Sequence, residues 1–377
     1  MHVLVAPNAF KGSLSASVAA EAIVRGLRRA APRFKCILFP VGDGGDGTGA
    51  LLIERLGARV VTTKVKDALG RVVTASFGVM ERESAAIIEL AEASGLRRLR
   101  PDEWNPLRAT TFGTGELMRA ALDEGIQRMV LAVGGSATVD GGTGILQALG
   151  ARFLNAAGQE LRNLPENLGE LASIDLSRMD DRIGKCELTV LCDVDNPLLG
   201  ERGAARVFGP QKGAKPVVVE KLEAALSQLS KVVHQQTGID VAAIPGGGAA
   251  GGVAAGLHGI LRAQLVKGID YFLDVTVFDQ ALANCDVVIT GEGRLDGQTL
   301  QGKAPMGVAV RAKRRDIPVI ALAGSVDPTA ELKLRRFFDE LQVVTPSGQD
   351  LAKALREAEP NLERAARELG AKIARKP

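Results

Sequence analysis

Short apolar runs alternate along this chain with stretches in which apolar positions recur every three or four residues. That pattern predicts strands and helices in succession. Residues 3–6 form a first strand, and Ser15 is placed to cap a helix whose Ala19, Ile23, Leu27 and Ala30 share one face. Residues 36–41 predict a second strand running into GDGGDGT, followed by a helix through Leu51, Leu52 and Leu56. The texture then changes. Residues 59–65 and 71–79 alternate with period two, are rich in valine and threonine, and flank the turn-like DALG, which predicts an antiparallel hairpin. Residues 85–90 add a strand, Thr114 caps a helix through Leu117, Ala121 and Leu122, and residues 129–133 form a buried strand that stops at Gly134. Further strands are predicted at 188–192, 286–290 and 318–323, and a charged amphipathic helix at 217–234. The tail, 350–375, reads as a helix broken near Pro360, with the alternating charge of a solvated face.

The hairpin interrupts an alternation that returns only after about residue 280, so the first and last thirds are expected to belong together. This predicts an α/β fold of two domains: residues 1–60 with 280–377, and an inserted mixed α/β domain at 61–279. A length of 377 residues agrees, because one core rarely grows beyond roughly 250 to 300 residues. Hydrophobic residues make up 46% and charged residues 24%, and no apolar run approaches the roughly 18 residues of a membrane span. The opening MHVLVAPNAF lacks a basic leader region and meets Pro7 early, so a cytoplasmic location is expected. The 47 basic and 44 acidic residues are intermixed, and one Trp and one Tyr give no stacking platform, which argues against a nucleic-acid partner. His2, His234 and His258 are too dispersed for a histidine metal site or a Ser/His/Asp arrangement, and four scattered cysteines form no C-x-x-C pair.

The candidate chemistry lies in glycine-rich loops. In LAVGGSATVDGGTG, residues 131–144, a strand, a glycine turn and a helix follow in the order of a phosphate site. Gly134 and Gly135 let backbone approach an anion, Ser136 and Thr138 add hydroxyl donors, and Asp140 adds a carboxylate that could face a metal. A tight α/β connection with no ligand is the competing reading. Gly113 and Thr114 ahead of a helix, and Gly291 and Gly293 in GEGRLDGQTLQGKAP, are cofactor-binding candidates of the same kind. Lys11 stands between a strand end and a helix start, Asp43 and Asp46 among four glycines, and Asp193, Asp195 and Asn196 at a strand's carboxyl end, where open α/β sheets bind ligands. Gln211 and Lys212 follow in FGPQKGA, and the small-residue run at 245–252 suits close backbone approach. Residues 297–303 satisfy G-x-x-x-x-G-K, but Ala304 replaces the Ser or Thr of a P-loop and 291–296 separate the motif from its strand, so a P-loop is rejected. No strand is followed by a dinucleotide fingerprint. Backbone amides, cations and carboxylates without histidine or cysteine suit phosphoryl transfer to a small acid.

Eight segments in order, APNAFKGSLSA, PVGDGGDGT, FGTGEL, GGSATVDGG, CDVDNPLLG, FGPQKGA, PGGGAAGG and ITGEGRLDGQTLQGKAP, resemble the bacterial glycerate kinase family of glyoxylate and galactarate breakdown. The resemblance implies a flavodoxin-like α/β domain with a parallel sheet and a second, mixed-sheet domain. It implies ATP-dependent phosphorylation of D-glycerate with Mg²⁺, at the 2-hydroxyl. Asn8 departs from the aspartate frequent in that family, Asp46 from glutamate and Asp195 from threonine. With this activity in view, Asp193 is expected to orient or deprotonate the hydroxyl. Lys11, Lys212 and Arg294 are expected to neutralise carboxylate and phosphoryl charge, with Asn196 and Gln211 contacting substrate. Gly134, Gly135, Ser136 and Thr138 would cradle ATP phosphates, and Asp43, Asp46 and Asp296 are the Mg²⁺ candidates. Gly134, Asp193 and Lys212 are expected to open onto one crevice. Phosphorylation at the 3-hydroxyl or of another small hydroxy acid is the alternative. A silent nucleotide sensor is disfavoured because the carboxylates are kept, and a homo-oligomer is compatible with the sequence.

Overall fold

A computed structural model of the chain describes residues 1–375. Its strands, in chain order, are β1 (His2–Pro7), β2 (Lys35–Leu38), β3 (Arg59–Lys66), β4 (Val72–Met80), β5 (Ala85–Glu89), β6 (Arg128–Ala132), β7 (Arg152–Leu154), β8 (Ser173–Asp175), β9 (Glu187–Cys192), β10 (Gln264–Lys267), β11 (Val287–Leu295), β12 (Val319–Val326) and β13 (Glu340–Val343). The chain divides into two compact units, Met1–Asp43 with Ile269–Pro377, and Gly44–Gly268.

In the first unit five strands pair in the order β13-β12-β11-β1-β2, all parallel. Counted within the unit this is the 2-1-3-4-5 order of flavodoxin-like sheets, whose switch point lies between β1 and β11. The central strands are apolar because both faces are covered: Val3, Val5, Ile289 and Leu322 are buried. Helix Ala16–Ala30 starts at Ser15, whose hydroxyl accepts from the Val18 amide, as its sequence position predicts. It packs tightly on helix Ala358–Ala374, where a side chain at Gly26 would overlap the Glu363 carbonyl. Here the structure corrects the solvated reading of the tail. Pro360 sits in the first turn, where a proline costs no helix hydrogen bond, and Leu362, Ala365, Leu369 and Ile373 face the core. The charged positions between them supply Arg25 to Glu359 at 2.5 Å and Arg25 to Glu363 at 3.0 Å.

The second unit holds a six-stranded sheet in the order β10-β9-β6-β5-β4-β3. It is mixed: β4 is antiparallel to β3 and β5, and the remaining pairs are parallel. The hairpin read from period-two alternation is β3 and β4, with Arg59 opposite Val79. Helix Thr48–Leu56 falls in this second unit, although its sequence reads as continuous with the first. The reason is tertiary. A side chain at Gly49 would crowd Glu89 of β5, and Ile53 fills the space over Gly78 of β4. Among the described residues no helix is long and apolar enough to cross a membrane.

Candidate functional site

In the second unit the carboxyl end of β6 leads into the loop at 133–142. Gly134 has no room for a β-carbon against the Gly45–Asp46 backbone, and its amide donates to the Gly44 carbonyl at 3.0 Å. Gly135 takes φ +71°, a left-handed value that favours glycine. The Gly135 carbonyl accepts from Leu96 and the Ala137 amide donates to Ser94, which ties the loop to the segment after β5. Among the described residues the amides of Gly135, Ser136, Thr138, Val139 and Asp140 donate to no acceptor, and the buried Thr138 hydroxyl has no partner. Gly135 is exposed, but the residues from Ser136 to Asp140 are buried, and buried donors left open are rare without a ligand or water to satisfy them.

Lys212 closes the other side. It lies in the turn Pro210–Lys212, is 3% exposed, and donates to Ser136 Oγ at 2.6 Å and to the Thr138 carbonyl at 2.7 Å. Burial lowers its ammonium to about 7, opposed by the charges of Asp140 and Asp193. Asp193 follows β9 directly, so Ser136, Lys212 and Asp193 gather at one end of the sheet, at the carboxyl ends of β6 and β9. Such a cluster can hold an oxyanion between a cation and backbone amides, with a carboxylate at hand for a hydroxyl proton.

Several expectations for this unit need correction. Asp140 does not face a metal. It is fully buried, accepts from the Thr111 amide and hydroxyl at 2.8 and 2.7 Å, and caps helix Thr143–Ala148 through the Gly142 and Gly144 amides. The helix terminus expected to meet phosphate is therefore occupied by the protein's own carboxylate, whose pKa burial raises. Thr114 is no cap either, since the helix begins at Phe112 after Thr111. Its hydroxyl lies 2.8 Å from Ser94 Oγ, fully buried, while Gly113 packs on the Lys66 carbonyl. Asn196 is turned to its own loop, donating to the Arg202 carbonyl at 2.8 Å, and Gln211 is exposed. Asp46 is exposed and pairs with Arg97 at 3.1 Å.

Glu89 received no role from the sequence. It ends β5, is 3% exposed, and accepts from the Gly47 amide at 2.5 Å and the Ala50 amide at 3.2 Å, clamping the start of helix Thr48–Leu56. Burial raises its pKa, with Asp46 adding to the shift and Arg97 opposing it. The available signal is a carboxylate closing the apolar run AAIIE.

In the first unit polar residues collect where β1 and β11 end. Asn8 donates through Nδ2 to Asp43 at 2.9 Å and through its amide to the Gly291 carbonyl at 2.8 Å. Glu292, within β11, is 6% exposed and accepts from the Thr299 hydroxyl at 2.7 Å. Burial raises Glu292 to about 7, while Lys303, Thr299 and Lys11 favour its ionised form and Asp43 opposes it. Gly291 and Gly293 are strand residues and not loop glycines, because β11 runs to Leu295. A side chain at Gly291 would overlap the Leu322 carbonyl of β12. Arg294 is exposed beside Asp327 at 3.2 Å and Asp296 at 3.6 Å. Asp296 turns back to accept from the Gln298 and Thr299 amides.

Among the described residues no group of three His, Cys, Asp or Glu side chains is close enough to hold a metal ion. A protein-only cage is absent among them, whereas Mg²⁺ bound mainly by phosphates and water requires only one or two carboxylates. Of the three Mg²⁺ candidates, Asp43 lies buried in the loop after β2 and accepts from Asn8, while Asp46 and Asp296 are engaged as described above.

Residues 3–374 match the glycerate kinase family. A glycerate kinase of Halalkalibacterium halodurans is 42% identical over 367 residues, 97% of each chain. The glycerate 2-kinase of Escherichia coli K12 is 40% identical over 374 residues, covering 99% of this chain and 98% of the relative. The crystal structure of a proposed glycerate kinase 2 from Salmonella typhimurium LT2 aligns with TM-score 0.81 at 42% identity, covering 99% of this chain and 98% of the other.

Proposed function

The chain belongs to the glycerate kinase family, and from that premise we propose that it transfers the γ-phosphoryl group of ATP to the 2-hydroxyl of D-glycerate. One observation carries the reading: a buried lysine, Lys212, bonded to Ser136 within a loop of unengaged amides and near the Asp193 carboxylate. Asp193 orients the hydroxyl and accepts its proton as the oxygen attacks the γ-phosphorus, and ADP leaves with the electron pair of the broken P–O bond. Lys212 and the amides of Gly135 and Ser136 carry the charge on the transferring group, and because Lys212 and Ser136 are buried their contacts count for more than in water. Gly134 contributes by its lack of a side chain, letting the 44–47 loop approach. Lys11 and Arg294, both of the first unit, are the cations suited to an acid's oxyanion, Arg294 being able to bind a carboxylate with two parallel bonds. Mg²⁺, when bound, would supply further charge neutralisation on phosphate oxygens, and Asp43 would be a buried carboxylate able to hold it.

Phosphorus NMR of the product from D-glycerate and Mg-ATP tests this directly. A 2-phosphoglycerate resonance is expected. A 3-phosphoglycerate resonance would move the acceptor site, and turnover of tartronate or glycolate in preference to glycerate would replace the substrate.

A further inference from the structure

The G-x-x-x-x-G-K segment at 297–303 has a different setting from the one its sequence suggests. Because β11 extends to Leu295, only Asp296 separates the motif from its strand, and the segment opens helix Ala304–Lys313 with Lys303 at the cap. The strand concerned borders the switch point between β1 and β11, where a doubly wound sheet leaves room for a ligand. The segment is held there by a chain of contacts. Glu292 on β11 accepts from the Thr299 hydroxyl at 2.7 Å, and that same oxygen accepts from the Asp296 amide at 3.1 Å. Thr299 is fully buried. Across the switch point Asn8 joins the end of β1 to Asp43. Lys303 and Lys11 both act on the Glu292 carboxylate, so two buried acids and two lysines share this end of the sheet.

Desolvation penalises a carboxylate as buried as Glu292, and neither lysine is buried with it. Burying Glu292 therefore calls for another account. We propose that Lys303 and Lys11 form an oxyanion-binding pair at the switch point, and that Glu292 is the positioning residue that holds Lys303 there through Thr299 and through charge. The inference rests on the kinase reading. The oxyanion is either the carboxylate of the acid or a phosphate of the nucleotide; both present paired oxygens to two ammonium groups.

Equilibrium binding of D-glycerate and of Mg-ATP, each measured separately by calorimetry on the full chain, distinguishes the two sources. Lys303→Met is expected to weaken one ligand tenfold or more and leave the other within threefold, with an unchanged melting temperature. Glu292→Gln, which keeps an acceptor for Thr299 but loses the charge, should weaken the same ligand at least threefold. The double variant should bind no worse than Lys303→Met, because both changes remove one interaction. Should Glu292→Gln fail to fold, Thr299→Val is expected to weaken that ligand and Thr299→Ser to restore it. Wild-type binding of both ligands by Lys303→Met overturns the proposal, as does a Glu292→Gln effect that persists undiminished beside Lys303→Met. A wild-type chain that binds D-glycerate without phosphorylating it overturns the proposed function alone. A chain that binds neither ligand overturns both.

Discussion

At Lys212 burial and charge oppose each other most directly. Its ammonium is removed from water yet donates to Ser136 and the Thr138 carbonyl, and its pKa falls to about 7, chiefly through burial. If the cation carries phosphoryl charge, kcat/KM should decline as pH rises through about 7. Lys212→Arg, which stays charged, should move that limb to higher pH. An unchanged profile in the arginine variant would detach Lys212 from the limb. Lys212→Met should raise the melting temperature while removing turnover, because the desolvation penalty of a buried charge disappears with the charge. Asp193→Asn should lower kcat by about two orders of magnitude or more with little change in melting temperature, the signature of a group used in the transition state; near-normal turnover would remove it from the mechanism. Lys212 and Asp193 stand out in the sequence because one lies beside glycine and the other at the end of an apolar run, and the structure places both at the end of the second unit's sheet. Sequence reading misplaces Asp140, Gly291 and Gly293 for an equally physical reason. An aspartate among glycines looks the same whether it meets a ligand or caps a helix, and strand glycines that admit a neighbouring backbone look like loop glycines.

Among the larger elements, the 245–252 segment has the least sequence character and some of the tightest geometry. Ala250, Gly251 and Gly252 adopt φ of +55°, +71° and +92° at the start of helix Ala249–Leu261. A β-carbon on Gly251 would overlap the Thr138 carbonyl, one on Gly256 the Gly141 carbonyl, and one on Gly248 the Pro197 carbonyl. The segment is a wedge of bare backbone between the loops that follow β6 and β9. Gly251→Ala should therefore destabilise the unit by roughly 2–4 kcal/mol, the range for a left-handed strain combined with an overlap that backbone must absorb. Urea unfolding of that variant measures the cost, and a loss under about 0.5 kcal/mol, the scale of an ordinary surface substitution, would contradict the wedge. The hairpin, the parallel strands and the Ser15 cap were legible because periodicity and capping are local signals. The allegiance of helix Thr48–Leu56 and the buried face of Ala358–Ala374 were not. Each depends on a partner distant in sequence, Glu89 in one case and helix Ala16–Ala30 in the other.

Across the whole molecule the buried ionisable groups give stability a characteristic pH dependence. Glu292 in the first unit is raised from 4.5 to about 7, so between those values the folded chain binds more protons than the unfolded one. The stability it contributes is full below pH 4.5 and is lost as pH rises through about 7. Lys212 in the second unit runs the other way. Its pKa is lowered from 10.5 to about 7, so its contribution is full above 10.5 and is lost as pH falls through about 7. Together they weaken the chain most near neutrality, where each buried group is about half ionised in the folded chain. Surface carboxylates such as Asp327, held below the usual range by Thr329, add an acid-side slope of opposite sign. Subtraction removes it, because that slope is common to wild type and variant. The difference in melting temperature between Glu292→Gln and wild type should grow from pH 5 to pH 7 in favour of the variant, and that between Lys212→Met and wild type should shrink from pH 7 to pH 9. Differences independent of pH would mean that these groups do not titrate between folded and unfolded chains as their burial requires. Of the two, only Lys212 is opposite in sign to an oxyanion, so its share of the minimum is the cost of a cation kept dehydrated for such a ligand. Mg-ATP or D-glycerate at saturation should accordingly raise the melting temperature more at pH 7 than linkage to a group without a shifted pKa would allow.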